Sequence, residues 1–120
     1  MSNGGRSAPR RTIAVVLVVN RFRVPPAAAD TFRADLERAH DLLAARPGYR
    51  GGAIGRNVDD PDLWVLQTRW ADPGSYRRAL SSMEVKMHAV PVLSGALDEP
   101  SAYEIVDGDE PLNEARPRTL

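Results

Sequence analysis

The chain has 120 residues, a formal net charge of zero, 42% hydrophobic and 27% charged residues, and no cysteine. That length holds one domain with one core, and the balanced charge leaves no broad electrostatic footprint for nucleic acid or anionic lipid. Without cysteine, disulfides and thiolate metal sites are excluded, and the first residues lack the apolar region of a secretion signal, so the expected location is cytoplasmic, with no membrane or nucleic-acid partner.

Residues 1–11 carry Ser, Asn, Gly, Pro and three arginines without apolar periodicity and read as a flexible basic arm. The folded domain is expected over residues 12–106. Its first element is the β-branched run from Thr12 to Phe22, too short to cross a bilayer as a helix, which needs roughly 20 apolar residues. As a strand it places Ile13, Val15, Leu17 and Val19 on one face and Ala14, Val16, Val18, Asn20 and Phe22 on the other. Both faces are apolar, so both need cover.

Val24-Pro25-Pro26 ends the strand, with Pro26 suited to a first helical turn. Phe32, Leu36, Ala39 and Leu43 then recur at spacings of four, three and four, an amphipathic helix that Pro47-Gly48 terminates. His40 lies on the flank of that helix and receives no role. Tyr49 to Val58 and Leu63 to Trp70 read as antiparallel strands joined by Asp59-Asp60-Pro61-Asp62. Gly51, Gly52 and Gly55 put the first of them at an edge or against a close backbone, while Trp64, Leu66, Thr68 and Trp70 give the second a packed face.

Asp72-Pro73 is an N-cap followed by proline at the first helical position. Tyr76, Leu80, Met83 and Met87 continue as an apolar stripe, and Ser81 and Glu84 are spaced for a capping box, so two short helical pieces are predicted, the second limited by Pro91. Ser101 to Val106 supplies a last strand, and residues 107–120 read as a flexible tail. The order strand, helix, strand, strand, helical segment, strand predicts an α+β, ferredoxin-like βαββαβ fold with a four-stranded antiparallel sheet. Both helical segments cover one sheet face. Leaving Ile13, Val15, Leu17 and Val19 in water forgoes roughly 1.5–3 kcal/mol each, on the order of 6–12 kcal/mol together, so a homodimer packed sheet on sheet is expected.

Val19-Asn20-Arg21-Phe22, Arg46-Pro47-Gly48-Tyr49, Asp60-Pro61 before a Trp-bearing strand, Thr68-Arg69-Trp70 and His88 together resemble the antibiotic biosynthesis monooxygenase family over about residues 12–106. The resemblance implies a dimeric α+β barrel and a pocket between helices and sheet in each subunit. It also implies cofactor-independent oxidation of a small quinol-like or phenol-like aromatic by dioxygen, with neither cofactor nor metal. Residues carried over are Asn20 as a hydrogen-bond partner for a substrate oxygen, Trp70 and Tyr76 to fix the ring, and His88 as a base. Phe22, Phe32, Leu36, Leu66, Leu80 and Met83 would line the substrate pocket. The asparagine that such enzymes carry four residues before the tryptophan is Leu66 here. A haem-degrading branch matches at Asn20 and His88 but has Ala79 where its helical tryptophan would stand. Each residue also has a plain structural reading: Trp70 and Tyr76 as core aromatics, His88 as a satisfied structural histidine. The same pocket would equally suit a non-catalytic dimeric or stress-associated protein that holds a small apolar ligand.

Overall fold

The computed structural model describes residues 15–108. The expected N-terminal arm, most of the expected tail, and Thr12, Ile13 and Ala14 of the expected first strand lie outside them. Strand β1 (Val16–Arg23) is followed by a 3-10 turn (Pro26–Ala28) and helix α1 (Ala29–Ala44), then β2 (Tyr49–Arg56) and β3 (Leu63–Trp70). Three short helices, α2 (Pro73–Ser81), α3 (Met83–His88) and α4 (Val90–Leu93), lead to β4 (Ala102–Glu104). The sheet order is β4-β1-β3-β2, antiparallel throughout. This is the predicted ferredoxin-like arrangement, with β2 at an edge as its glycines suggest.

The alternation read from β1 and β3 sets the layers. Val16, Val18 and Phe22 of β1 and Trp64, Leu66, Thr68 and Trp70 of β3 are buried beneath the helices, where Leu36, Ala39 and Leu43 of α1 meet them. Side chains on the opposite face, Leu17, Val19, Val65, Gln67 and Arg69, are only half-buried. There Arg21 makes a two-pronged ion pair with Glu99, at 2.7 and 2.8 Å, that ties β1 to the segment entering β4. Backbone bonds from Leu97 to Arg21 and from Val19 to Ser101 extend that attachment past the three residues of β4 itself.

Two turns need glycine or proline for physical reasons. Gly48 has a φ of 91°, and a Cβ there would run into the side chain of Ser75, so the α1–β2 turn sits directly on the start of α2. Asp72 caps α2 as predicted, accepting from Ser75 N at 2.7 Å and Ser75 Oγ at 2.9 Å, and these bonds hold its carboxyl below the usual range.

The helical segment differs from expectation in two respects. No capping box forms: the Ser81 hydroxyl donates to the Arg77 carbonyl, the Ser82 hydroxyl to that of Ala79, and α3 starts from Ser82 without a side-chain cap. Nor does Pro91 close the segment; it lies in the first turn of α4, where its missing N–H costs nothing. The chain therefore turns out of helix at Ser82, where ψ is 150°, and starts a new wheel. Val85 and Ala89 face the core, while Met83 and Met87 are 71% and 59% exposed. A single stripe through Tyr76, Leu80, Met83 and Met87 requires an unbroken helix, and this one breaks.

Candidate functional site

The β1–β3 register decides which predicted site residues can meet. On the helix-facing side Val16 pairs with Trp70, Val18 with Thr68, Asn20 with Leu66 and Phe22 with Trp64. Trp64 and Trp70 are six residues apart on one strand, which is about 20 Å at 3.3 Å per residue. The predicted set is thereby divided between two ends of the sheet, each with its own cavity.

At the end where β1 exits, a cavity of about 540 Å³ lies between β1, the 3-10 turn, α1 and α4. Its walls include Phe22, Val24, Phe32 and Val92, and Arg23, Thr31 and Asp35 supply polar groups. Phe32 stands 5.1 Å from Phe22 and edge-on to Trp64 at 5.5 Å, so the phenyl is held by rings on two sides. The Arg56 guanidinium lies over the Trp64 ring at 5.1 Å, and the indole N–H of Trp64 is buried without a hydrogen-bond partner. Arg23 is tied to Asp60 at 2.8 Å, and that bond holds the Asp60 carboxyl below its ordinary range. Asn20 projects from the same sheet face as Phe22, two residues upstream and half-buried. In size this cavity falls within the roughly 300–1,000 Å³ typical of small-molecule pockets.

The other end holds a cavity of about 430 Å³ lined by Val16, Pro73, Tyr76, Arg77, Tyr103 and Glu104, among others. Behind Tyr76, at 5.5 Å, is the fully buried Trp70, whose indole N–H donates to the Thr68 hydroxyl at 2.8 Å. That donor is already engaged within the protein. On its far side Trp70 meets Tyr49 edge-on at 5.4 Å, and the Tyr49 hydroxyl lies 2.6 Å from His40 Nε2. Burial pushes the phenols of Tyr76 and Tyr49 above the ordinary tyrosine value, with Arg69 opposing the effect at Tyr49.

A raised folded-state pKa means that the stability from burying the neutral phenol is complete below pH about 10 and is lost as pH rises through the higher folded value. Tyr76→Phe is expected to flatten the alkaline fall in melting temperature. Melts from neutral to strongly alkaline pH, with Tyr49→Phe for comparison, check this.

Against known proteins, a sequence model described as antibiotic biosynthesis monooxygenase matches residues 15–89, more than half of the chain. The chain belongs to this family. A cofactor-independent oxygenase from Streptomyces nogalater has a similar structure, with a TM-score of 0.67 and 26% identity over 81% of this chain and 98% of that one. A conserved protein from Methanosarcina mazei (TM-score 0.65, 19% identity, 79% and 96% covered) and a protein from Mycobacterium tuberculosis (TM-score 0.60, 22% identity, 84% and 98% covered) share the fold. No curated protein matches the sequence.

Within this family fold, several predicted site residues stand elsewhere than expected. His88 is exposed at the end of α3, where Ala89, not His88, turns inward, and it lines neither cavity. Met83 is likewise on the outer face. Leu36 and Leu66 are fully buried core residues rather than cavity walls, and Leu80 packs half-buried against the core. Phe22 and Phe32 do line the first cavity and Tyr76 the second, whereas Asn20 and Trp70 line neither. Ala79, which stands where the haem-degrading branch would carry its tryptophan, is buried in the core. No helix among the described residues is long and apolar enough to cross a membrane.

Sequence reasoning missed the His40–Tyr49 pair. Its signal is the Pro47-Gly48 turn, which folds the start of β2 back along the last turns of α1. Asp35 and Val92, the walls contributed by α1 and α4, were also missed. Asp35 is on the solvent-side flank of its helix, and Val92 follows a proline that reads as an ending.

Proposed function

We propose that the protein is a cofactor-independent monooxygenase that oxidises a small, electron-rich phenol or quinol with dioxygen in the cavity at the exit of β1. The observation that carries this reading is the aromatic-walled space between helices and sheet, with Asn20 on the same face as Phe22. Phe22 and Phe32 hold a flat ring, and the Asp35 carboxylate at the rim accepts a hydrogen bond from a phenolic hydroxyl. Asn20, outside the cavity wall and two residues along β1 from Phe22, hydrogen-bonds a substrate oxygen that extends past Phe22 along the strand. Ionisation of the substrate makes it a one-electron donor to dioxygen. The protein's part is to hold and orient the ring. The oxygenase from Streptomyces nogalater, similar over most of both chains, supports the same chemistry.

The test is consumption of a dihydroxynaphthalene-type quinol under air and under argon. Turnover is expected only with oxygen, and Asn20→Ala is expected to lower it roughly 3- to 10-fold, the worth of one hydrogen bond. Equal rates under argon, or equal rates with and without protein, would remove the oxygenase reading. A second reading, a dimeric binding protein that does not turn its ligand over, is favoured by the buried Leu66 and by the Trp70 N–H being engaged with Thr68. Ligand binding with no oxygen consumption would select it.

We also infer a homodimer. Family members are commonly dimeric. The sheet face bearing Leu17, Val19 and Val65 has no helix over it among the described residues, and a second copy of the same face would cover it.

A further inference from the structure

Tyr76, Trp70, Tyr49 and His40 form an unbroken file of rings from one cavity, along the helix-covered face of the sheet, to α1 at the β2 edge. Successive centroids are 5.5, 5.4 and 5.9 Å apart. Of the side chains in a protein, indole and phenol are the aromatic groups that give up one electron most readily. Trp70 has no solvent exposure, and its N–H meets only the Thr68 hydroxyl, too weak a base to take the indole proton. An oxidised Trp70 therefore stays a radical cation and draws an electron from a neighbour. A phenol supplies one easily only if its proton leaves at the same time, and Tyr49 has His40 Nε2 at 2.6 Å to receive it.

The other aromatic cluster lacks these properties. Trp64 is flanked by Phe32, whose phenyl is a poor donor, and Arg56 places a positive charge over the indole, which opposes a second positive charge on the ring. One-electron donors in contact are confined to the end of the sheet that holds Tyr76.

We propose that these four residues are a radical-quenching relay, which carries an oxidising equivalent from the Tyr76 cavity through Trp70 to the half-buried Tyr49–His40 pair. Its substrate is an oxygen-centred organic radical of the alkoxyl or peroxyl class, and the reaction stands apart from the oxygenase reading. Such a radical takes a hydrogen atom from the Tyr76 hydroxyl and becomes the alcohol or hydroperoxide. The Tyr76 phenoxyl is then restored by a proton from water in the cavity and an electron that Tyr49 gives through Trp70. The Trp70 radical cation lies above both phenols and is only a stepping stone; the Tyr49 proton passes to His40, which makes Tyr49 the easier phenol to oxidise. A soluble reductant of the thiol or ascorbate class then gives one electron to the Tyr49 phenoxyl, and His40 returns the proton. The sum is reduction of the radical by one electron and one proton, with the protein unchanged.

The chain has two tryptophans, so Trp64→Phe leaves Trp70 as its single indole, and a laser pulse that photoionises indole then starts the reaction at a known place. Transient absorption follows the indole radical as it gives way to a tyrosine phenoxyl, and circular dichroism confirms that each variant is folded; Trp64→Leu is the background if the phenylalanine variant is not. In a Trp64→Phe, Tyr76→Phe protein, phenoxyl is expected on Tyr49. His40→Gln, which keeps a hydrogen-bonding group but no base, is expected to slow its formation about tenfold, the factor that each RT ln 10 of added barrier is worth. In a Trp64→Phe, Tyr49→Phe protein the phenoxyl is expected on Tyr76 instead, and with both tyrosines changed the indole radical should persist. Decay of the indole radical that is the same with and without the two tyrosines, or transfer to Tyr49 at the same rate in His40→Gln, would overturn the relay.

Discussion

Leu17→Asp is expected to abolish the proposed dimer and to lower stability with it. Position 17 lies at the centre of the sheet face that the helices leave uncovered, opposite Arg69 on β3 and Tyr103 on β4. In a sheet-on-sheet dimer an introduced carboxylate would be taken out of water beside the partner's sheet, which costs several kcal/mol when it is not compensated. In the separated subunit the same group is hydrated beside its cross-strand neighbour Arg69, but Val19 and the rest of the apolar face are left in water, so stability falls as the dimer is lost. Light scattering should show the mass halved, and the melting temperature should lose its dependence on protein concentration. Asn20→Ala, on the other face, should remain dimeric. A wild-type protein that is monomeric, with melting independent of concentration, would mean that this face is covered in some other way.

The largest loss of stability is expected from Trp70→Ala. Trp70 is fully buried, touches Tyr49 on one side and Tyr76 on the other, and pairs across the sheet with both Val16 and Tyr49. Truncation opens a cavity between two strands and α2 and leaves the Thr68 hydroxyl without its buried partner. Removing a core tryptophan costs about 3–5 kcal/mol, a large part of the roughly 5–15 kcal/mol that holds a domain together. Urea titration should move the midpoint accordingly, with Trp70→Phe losing less because most of the ring volume remains. A midpoint for Trp70→Ala within error of wild type would refute the central place given to this residue.

The fold was legible because the strands and the first helix carry strong periodicity. Alternation in β1 and β3 assigned both sheet faces correctly wherever the residues are described, and the α1 stripe of Phe32, Leu36, Ala39 and Leu43 is the stripe that packs. The site was less legible because a site depends on register. That Val16, and not Asn20, stands opposite Trp70 cannot be read from either strand alone, yet it sets Asn20 and Tyr76 at different ends of the sheet. Met83 and His88 were misplaced for a local reason: the break at Ser82 shifts the helical phase, and nothing at Ser81 or Ser82 in the sequence distinguishes a continuing turn from a new start. His40 illustrates a third limit. Its partner, Tyr49, comes from the next element, so its importance emerges only after the Pro47-Gly48 turn is built.

The break at Ser82 also bears on access to the cavity at the exit of β1. Of the elements around that space, β1 is held by strands on both sides and α1 is a 16-residue helix, whereas α4 is a single four-residue turn joined to the six-residue α3. Local opening there has to break the backbone bonds from Val92 and Leu93 to Ala89 and from Ser94 to Val90, and to draw Val90, Val92 and Leu93 away from the core. These bonds are local, whereas β1 is bonded to a strand on each side. The wall carrying Val92 and Gly95 therefore gives way at lower cost than the sheet, and a larger ligand would be accommodated on that side.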